Sequence, residues 1–172
     1  VQRVDTTLSG GLPVAFTSNA GESEISGFEF DLLWAPLDRL NVRFAYAYLD
    51  TEYKEFIGPG GEDFSGNALP VSPENTLMGS LDYAVPLSGG WGLIAGTDWV
   101  WIDDFNFDVN DDPYTEGGDY TLGNMRLALT SPDDSWRVIA YADNVTDEEQ
   151  YANMTRREQE VIAAALDGRR FG

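Results

Sequence analysis

The sequence ENTLMGSLDYAVPLSGGWGLIAGTDWVWIDDFNFD, at residues 74–108, contains two segments in which apolar side chains alternate with polar or small ones. In the first segment Leu81 and Tyr83 alternate with Ser80 and Asp82. A period of two residues is typical of a β-strand, because successive side chains of a strand point to opposite faces of the sheet. The stretch therefore predicts two antiparallel strands joined by the short turn SGG.

The two faces of these predicted strands differ in chemistry. The second segment sets one row of side chains against another: Leu93, Ala95, Thr97, Trp99 and Trp101 against Gly92, Ile94, Gly96, Asp98 and Val100. Aromatic bulk thus lies on one face, with small residues and a carboxylate on the other. These faces suit a transmembrane β-barrel, in which lipid covers the outside, the lumen is polar, and aromatic residues near strand ends form interfacial girdles.

Length and composition narrow the possible functions. The length of 172 residues predicts a single domain that spans residues 1–172. Its formal charge of −20 makes nucleic acid a poor partner. Cys and His are both absent, which excludes disulfides, thiol chemistry, Cys/His zinc sites and imidazole-dependent catalytic triads. No run of about 18 apolar residues occurs, so the sequence predicts no transmembrane helix.

Other segments repeat the alternation and are separated by connections of two kinds. The further predicted strands lie within residues 1–8, 22–36, 40–56, 119–130 and 135–146, the last with Ile139, Tyr141 and Val145 on one face. Short turns (PLDR, SGG, SPDD) alternate with long polar loops at 57–73, 109–118 and 147–168. This asymmetry is typical of outer-membrane barrels. The pattern predicts an all-β, antiparallel transmembrane β-barrel segment of about seven strands.

One segment in the last long loop favours a helix. Thr155 and Glu158 have the spacing of a capping box, and apolar residues follow at Val161 and Ile162 before Gly168. The sequence therefore predicts a short helix over residues 155–168. Two arginines in its first turn oppose the helix dipole.

Loop 109–118 and its flanks carry oxygen ligands with the spacing of a calcium-binding loop. The candidate ligands are Asp108, Asn110, Asp112, Glu116 and Asp119. Pro113 stands where such loops need Gly, and no predicted helices flank the segment. A solvated acidic loop is the alternative interpretation. Calcium is the one cofactor that the sequence suggests.

Aromatic residues near the ends of the predicted strands mark places where a ligand could stack. The candidates are Tyr53, Trp101, Phe105 and Tyr114, with Phe56 and Phe107 nearby. The same side chains could instead anchor the barrel at the lipid interface. On the lumen side, ion pairs are expected among the charged residues Arg43, Asp82, Asp98, Arg126 and Asp143.

Four ordered motifs connect the chain to a known family. They are NAGESEISGFEFDLLWAP at 19–36, RFAYAYLDTEY at 43–53, LPVSPENTLMGSLDY at 69–83 and DNVTDEEQY at 143–151. Each motif alone is weak, but their order and spacing together resemble the C-terminal barrel region of TonB-dependent outer-membrane receptors. The motif residues that the resemblance marks as structural are Asn19, Ala20, Gly21, Gly27, Glu29, Leu69, Pro70, Pro73, Asn144, Thr146 and Asp147.

The resemblance implies a transport function without catalysis. Such receptors are plugged barrels of about 22 strands that take up siderophore-iron, cobalamin or glycans with energy supplied through TonB. The implied location is the outer membrane of a Gram-negative bacterium. The implied partners are outer-membrane lipid, the plug, the remaining barrel strands, the TonB system acting through the plug, and a small-molecule ligand.

The chain departs from the complete family pattern. It carries no plug or TonB box, and its end, DGRRFG, resembles the beginning of the family's last strand. We therefore expect a partial barrel, a fragment with two unpaired edges and an exposed apolar face. Such a fragment should be poorly soluble without detergent or the rest of the barrel.

Two other functions fit parts of the sequence. A soluble β-sandwich could bind glycans through its Trp and Tyr residues, but its aromatic rows would then pack into a core between two sheets. A glycoside hydrolase would need two carboxylates about 5–10 Å apart in one cleft. Pairs such as Glu52 with Glu55, or Asp103 with Asp104, are expected by chance in so acidic a chain.

Overall fold

The computed structural model describes residues 2–9, 12–19, 21–58, 60–157, 160–166 and 168–172, with side chains from residue 21 onward except that of residue 157. Its main element is a seven-stranded antiparallel sheet in the order β11-β8-β7-β6-β5-β4-β3. These strands are β3 (Gly21–Leu37), β4 (Leu40–Phe56), β5 (Asn75–Pro86), β6 (Gly92–Ile102), β7 (Tyr120–Thr130), β8 (Arg137–Asp143) and β11 (Arg170–Phe171). The predicted all-β, antiparallel architecture is confirmed.

Two hairpins stand beside the main sheet. β1 (Gln2–Ser9) pairs with β2 (Leu12–Asn19), and β9 (Tyr151–Arg157) pairs with β10 (Glu160–Ala165). The short turns join β3 to β4, β5 to β6 and β7 to β8 at one end of the sheet, which we call the short-turn end. A short 3₁₀ turn at Ser88–Gly90 forms the middle one. The long loops all lie at the opposite, long-loop end.

The strand register separates the two faces of the sheet as the alternation predicts. Phe28 pairs with Tyr48 and Leu32 with Phe44, which in turn pairs with Gly79. These residues and those in step with them form the apolar face. Arg43, Ser80 and Asp98 pair across neighbouring strands on the other, polar face. Because paired residues share a face, one apolar surface runs from β3 to β8.

The apolar face is not covered by a second layer of the described chain. Phe28 is 57% exposed and Trp34 is 58% exposed, and the buried apolar residues among those described are only Tyr53, Phe56 and Ala128. A β-sandwich would bury these rows between two sheets. The soluble sandwich interpretation is therefore wrong. Among the described residues, no helix has the length and apolar character needed to cross a membrane.

Strand β8 differs from the other strands because its larger side chains lie on the polar face. Ile139 pairs with Ala128 and Tyr141 with Arg126, so both lie on the polar face. Val138, which pairs with Leu129, continues the apolar face instead. Alternation predicts which residues share a face, but only pairing with a neighbouring strand decides which face that is.

The helix predicted over residues 155–168 is wrong, because this segment forms strands β9 and β10. Thr155 pairs with Ile162 and Arg156 with Val161, and the capping-box residue Glu158 lies outside the described residues. β-Branched side chains favour strands, and arginines in a first helical turn oppose the dipole. The hairpin also gives Arg156 an acidic partner, Asp112, on a neighbouring loop. Tertiary contacts thus override a weak local helix signal.

At the short-turn end, two neighbouring turns are joined by an aromatic pair. Trp91 and Trp136 meet edge to face, with ring centroids 5.0 Å apart. In the β7–β8 turn, the Asp133 carboxylate accepts hydrogen bonds from the Ser131 and Ser135 hydroxyl groups at 2.7 and 2.8 Å. These bonds favour the charged form and lower the pKa of Asp133 to about 2.

The Asp133 turn should make a measurable contribution to the pH dependence of stability. Because the folded-state pKa lies below the ordinary value of 3.8, the stabilisation is complete above pH 3.8 and disappears as the pH falls toward 2. We expect Asp133→Asn to remove this step from a plot of unfolding free energy against pH. Asp134→Asn in the same turn is the control, and an unchanged step in Asp133→Asn would contradict the assignment.

Candidate ligand-facing site at the long-loop end

Three long connections meet at one end of the sheet. They are loop 57–74, loop 103–119 and the connection from residue 144 to 169, which contains the β9–β10 hairpin. In an antiparallel sheet, every second connection lies at the same end, so these loops are neighbours. Contacts between them determine which side chains are exposed to the surroundings.

Loop 57–74 is anchored at its base by a buried aromatic stack. Tyr53 and Phe56 stack with centroids 4.7 Å apart, and Phe64 lies 5.7 Å from Phe56. The Tyr53 amide donates to the Asn67 carbonyl at 2.9 Å. Tyr53 is only 6% exposed, so its ring faces the loop rather than a ligand.

Loop 57–74 is also bonded to loop 103–119. The Val71 amide donates to the Asn106 carbonyl at 2.8 Å, and the Asn67 side-chain amide donates to the Val109 carbonyl at 2.8 Å. Leu69 is fixed to β4 because its amide donates to the Thr51 hydroxyl at 3.1 Å. These bonds join two sequence-distant loops into one layer.

Loop 103–119 folds back on itself as an irregular hairpin. The Phe107 amide donates to the Thr115 carbonyl, and the Gly117 amide donates to the Phe105 carbonyl. Phe105 and Phe107 meet edge to face at 5.0 Å, and Thr115 is completely buried. Backbone bonds and an aromatic pair therefore hold the loop together.

The β9–β10 hairpin contacts loop 103–119 through one arginine. Arg156 Nη1 donates to both carboxylate oxygens of Asp112 at 3.2 and 3.0 Å. The Arg156 guanidinium carbon also lies 4.4 Å from the centroid of the Tyr114 ring, within cation–π range. The pKa of Asp112 lies below its ordinary value. The main cause is the hydrogen bond from the Tyr114 amide, and the hydrogen bond from Arg156 is the second.

The candidate calcium ligands have other partners in this arrangement. Asp112 binds Arg156, the Asp108 carboxylate accepts the Val109 amide, and the Asp119 carboxylate accepts the indole N–H of Trp101 at 3.3 Å. Asn110 and Glu116 are exposed. In the part of the chain that the structure describes, no three acidic side chains are grouped to hold a metal ion. Calcium binding stays a prediction, which calorimetric titration of the refolded protein tests.

The polar face of the sheet carries the predicted ion pairs. Arg126 binds Asp82 at 2.6 Å and Asp98 at 2.8 Å, so one guanidinium joins three strands. Two further pairs are Arg43–Asp31 at 2.7 Å and Arg170–Asp143 at 3.5 Å. The predicted pairing is confirmed for Arg126 with Asp82 and Asp98, whereas Arg43 and Asp143 pair with residues that were not predicted, Asp31 and Arg170. A Cβ on Gly96 would lie 2.4 Å from an Asp82 oxygen and 2.7 Å from the Arg126 Nε, so a larger residue there would require both side chains of the bridge to shift.

A family model that describes TonB dependent receptor-like β-barrels matches residues 1–145. This chain belongs to that family. The family consists of transport receptors rather than enzymes, and TonB-dependent receptors are outer-membrane β-barrels of Gram-negative bacteria. In transmembrane barrels of this kind, the apolar face of the wall is the lipid-facing side and the polar face lines the lumen.

Solved structures share the fold of this receptor wall at low sequence identity. The ferric yersiniabactin uptake receptor FyuA from Yersinia pestis has a TM-score of 0.77 and 18% identity, over 90% of this chain and 23% of that one. The ferric preacinetobactin receptor BauA from Acinetobacter baumannii gives 0.69 and 16%, over 99% and 25%. The copper transporter OprC gives 0.60 and 15%, over 98% and 26%. The chain thus spans about a quarter of each of these proteins.

The first family motif places glycines where two long strands of the receptor wall approach closely. A Cβ on Gly27 would lie 2.2 Å from the Tyr48 carbonyl oxygen, and one on Gly21 would lie 1.6 Å from the Glu55 carbonyl oxygen. Glu29 pairs with Ala47 on the lumen face. Ala20 lies outside the described residues, and Asn19 is described only as the last residue of β2.

The third and fourth motifs shape the loop ends of the receptor. Within the motif Leu69–Pro73, Val71 has a left-handed φ of 55°, while Pro70 and Pro73 are partly buried. Asn144 begins the connection after β8 with a φ of 52°. Its side chain accepts from the Thr146 hydroxyl and the Glu148 amide, both at 3.0 Å, and donates to the Glu148 carbonyl. The buried Asn144 side chain thus provides hydrogen-bond partners for the polar groups of the turn.

Arg169 closes the Asn144 turn from the far side of the long connection. It donates to the Asn144 carbonyl at 3.3 Å and the Val145 carbonyl at 3.1 Å, and lies 3.6 Å from the Asp147 carboxylate. The turn is also joined to β7, because the Asn144 amide donates to the Asn124 side chain at 3.0 Å. The fourth motif therefore holds both ends of the β9–β10 connection together.

The aromatic candidates for ligand stacking occupy different environments. Tyr114 is 62% exposed, although Arg156 lies over its ring. Tyr53 is buried, Trp101 binds Asp119, and Phe105 packs against Gly117. Ligand stacking on these four side chains stays a prediction.

Sequence reasoning missed Arg156 as a residue that joins the loops of the receptor. The segment was expected to be helical, so Arg156 counted only as an unfavourable charge in a first turn. Its pairing with Asp112 spans 44 positions in the sequence. The β-branched residues Val161 and Ile162 were the local signal for a strand.

Replacing Arg126 should destabilise the receptor wall. In Arg126→Met, Asp82 and Asp98 lose their shared counter-ion, and we expect a loss of about 1–2 kcal/mol because the cluster is partly solvated. Urea unfolding of the full-length receptor in lipid vesicles measures this. Adding Asp82→Asn and Asp98→Asn should restore most of the stability, and a triple variant no more stable than the single one would contradict the explanation.

Proposed function

We propose that this chain is part of the wall of an outer-membrane receptor that takes up a scarce small-molecule ligand with energy supplied through TonB. The observation that carries the proposal is the combination of a continuous lipid-facing apolar surface, an ion-paired lumen face and three interlocked loops at one end. This is the arrangement that an uptake barrel needs, because the wall must be stable in lipid while its loops face the medium.

The ligand class that we favour is a siderophore–iron complex. FyuA is a ferric yersiniabactin uptake receptor and BauA is a ferric preacinetobactin receptor, and both have folds similar to this wall. Cobalamin and glycans are the remaining ligand classes. The proposed partners are outer-membrane lipid, a plug domain, the remaining barrel strands and the TonB system through that plug, and the proposed location is the outer membrane of a Gram-negative bacterium.

Measuring ligand uptake by the source organism, with and without the receptor gene, tests the proposal. The gene that encodes the full-length receptor is deleted, and uptake of radiolabelled ferric siderophores, cobalamin and oligosaccharides is measured under starvation for each. We expect siderophore uptake to fall to the level of a TonB-deficient strain and to return when the gene is restored. Loss of cobalamin or oligosaccharide uptake instead would change the ligand class, and normal uptake of all three would overturn the proposal.

A further inference from the structure

The β9–β10 hairpin is the part of the long-loop end that has the fewest ties to the sheet. Its strands pair with each other in a separate two-stranded sheet. At its base, the two strands are closed by a hydrogen bond from the Leu166 amide to the Gln150 carbonyl at 2.8 Å. A hairpin of two short strands is only marginally stable alone, so contacts beyond its own backbone bonds must determine its position.

Arg156 supplies such contacts near the tip of the hairpin, where it pairs with Val161 one position before the last pair, Arg157 with Glu160. Its guanidinium binds both oxygens of Asp112 and lies over the Tyr114 ring, and both partners belong to loop 103–119. The Asp112 side chain is 12% exposed and the Arg156 side chain 40% exposed. A charge pair with one partner mostly buried is screened by salt less than a fully exposed pair.

Asp112 is itself held in place for this pairing. Its Oδ1 accepts the Tyr114 amide at 3.0 Å, and its backbone carbonyl accepts both the amide and the hydroxyl of Thr115. Thr115 is completely buried. The acidic partner is thus preorganised by its own loop, so forming the contact orders mainly the arginine side chain.

The contact continues through loop 103–119 to loop 57–74. Asn106 and Val109 of the first loop accept hydrogen bonds from Val71 and Asn67 of the second. Loop 57–74 is in turn bonded to β4 through Thr51. A continuous series of contacts therefore runs from the hairpin to the barrel wall.

We propose that Arg156 is a latch that docks the β9–β10 hairpin onto loop 103–119, so that the three long loops behave as one body. With the latch closed, the hairpin lies over Asp112 and Tyr114. With the latch open, the hairpin is held only at its base. The latch is a conformational device of the loop layer, and it is independent of which ligand the receptor takes up.

Distance measurements between spin labels test the latch in the full-length receptor in detergent. This chain has no native Cys, so Asn110→Cys on the loop and Ala164→Cys on the hairpin introduce defined labelling sites into it. Both residues are exposed. We expect one narrow distance distribution in the parent and a distribution at least about twice as broad in Arg156→Gln and in Asp112→Asn, since either change removes the charge pair.

Two further variants keep the test decisive. Lys54→Gln also removes one positive charge near the long-loop end, where Lys54 pairs with Glu24 and Glu52, and it should leave the distribution narrow. The exchange Asp112→Arg with Arg156→Asp should restore the narrow distribution, provided that the folded barrel is recovered. Equal distributions in the parent, Arg156→Gln and Lys54→Gln would overturn the proposal, as would broadening by Lys54→Gln to the same extent.

Discussion

Replacing Phe44 by Arg should destabilise the folded receptor by about 2–4 kcal/mol, the cost of placing a cationic side chain near the midplane of a bilayer. Phe44 lies on the apolar face, paired with Leu32 and Gly79. Along β4 it lies four residues from Leu40, beside the short turn, and four residues from Tyr48, the last residue of β4 that pairs with β5. Phe44 is 39% exposed in this chain, so in the receptor its ring meets lipid.

The adjacent residue provides a matched control. Ala45 points to the lumen face, where it pairs with Asp31 and Met78. We expect Ala45→Arg to change the stability by only about 0.5 kcal/mol, the usual scale for a solvated surface substitution. Urea unfolding of both full-length variants in lipid vesicles, followed by tryptophan fluorescence, compares them. Equal losses for Phe44→Arg and Ala45→Arg would contradict the assignment of lipid and lumen faces.

Replacing Gly27 by Ala should cost about 3 kcal/mol or prevent assembly, because the new methyl group would overlap backbone rather than a movable side chain. Its Cβ would lie 2.2 Å from the Tyr48 carbonyl oxygen and 3.3 Å from the Leu49 Cα. Strands β3 and β4 would have to separate locally, at the centre of the longest hairpin of the wall.

Gly79→Ala is the control for Gly27→Ala. A Cβ on Gly79 would have no other atom within 4 Å, so this variant should assemble like the parent. The measurement is the fraction of full-length receptor that keeps the compact, SDS-resistant mobility of a folded barrel in an unheated sample. If Gly27→Ala assembles as well as Gly79→Ala, the close approach of β3 and β4 does not explain the family's glycine.

Part of the long-loop end was predictable and part was not. The loop predicted at 57–73 follows the end of β4 at Phe56, whereas the loop predicted at 109–118 begins six residues earlier, because β6 ends at Ile102. The burial of Tyr53 and the pairing of Arg156 with Asp112 did not, because both depend on residues far away in sequence. The helix expected after Thr155 shows the same limit, since its local signal was weaker than the strand pairing and the contact to loop 103–119.

The sequence by itself determined the strands of this wall, their short and long connections, and the membership of each side chain in an apolar or polar row. It could do so because alternation along a strand is a local property that each segment carries independently. Only the tertiary structure decided the face on which Tyr141 lies, the partner of each lumen-side charge and the docking of the β9–β10 hairpin. These depend on strand register and on contacts between distant loops, which no local pattern of residues encodes.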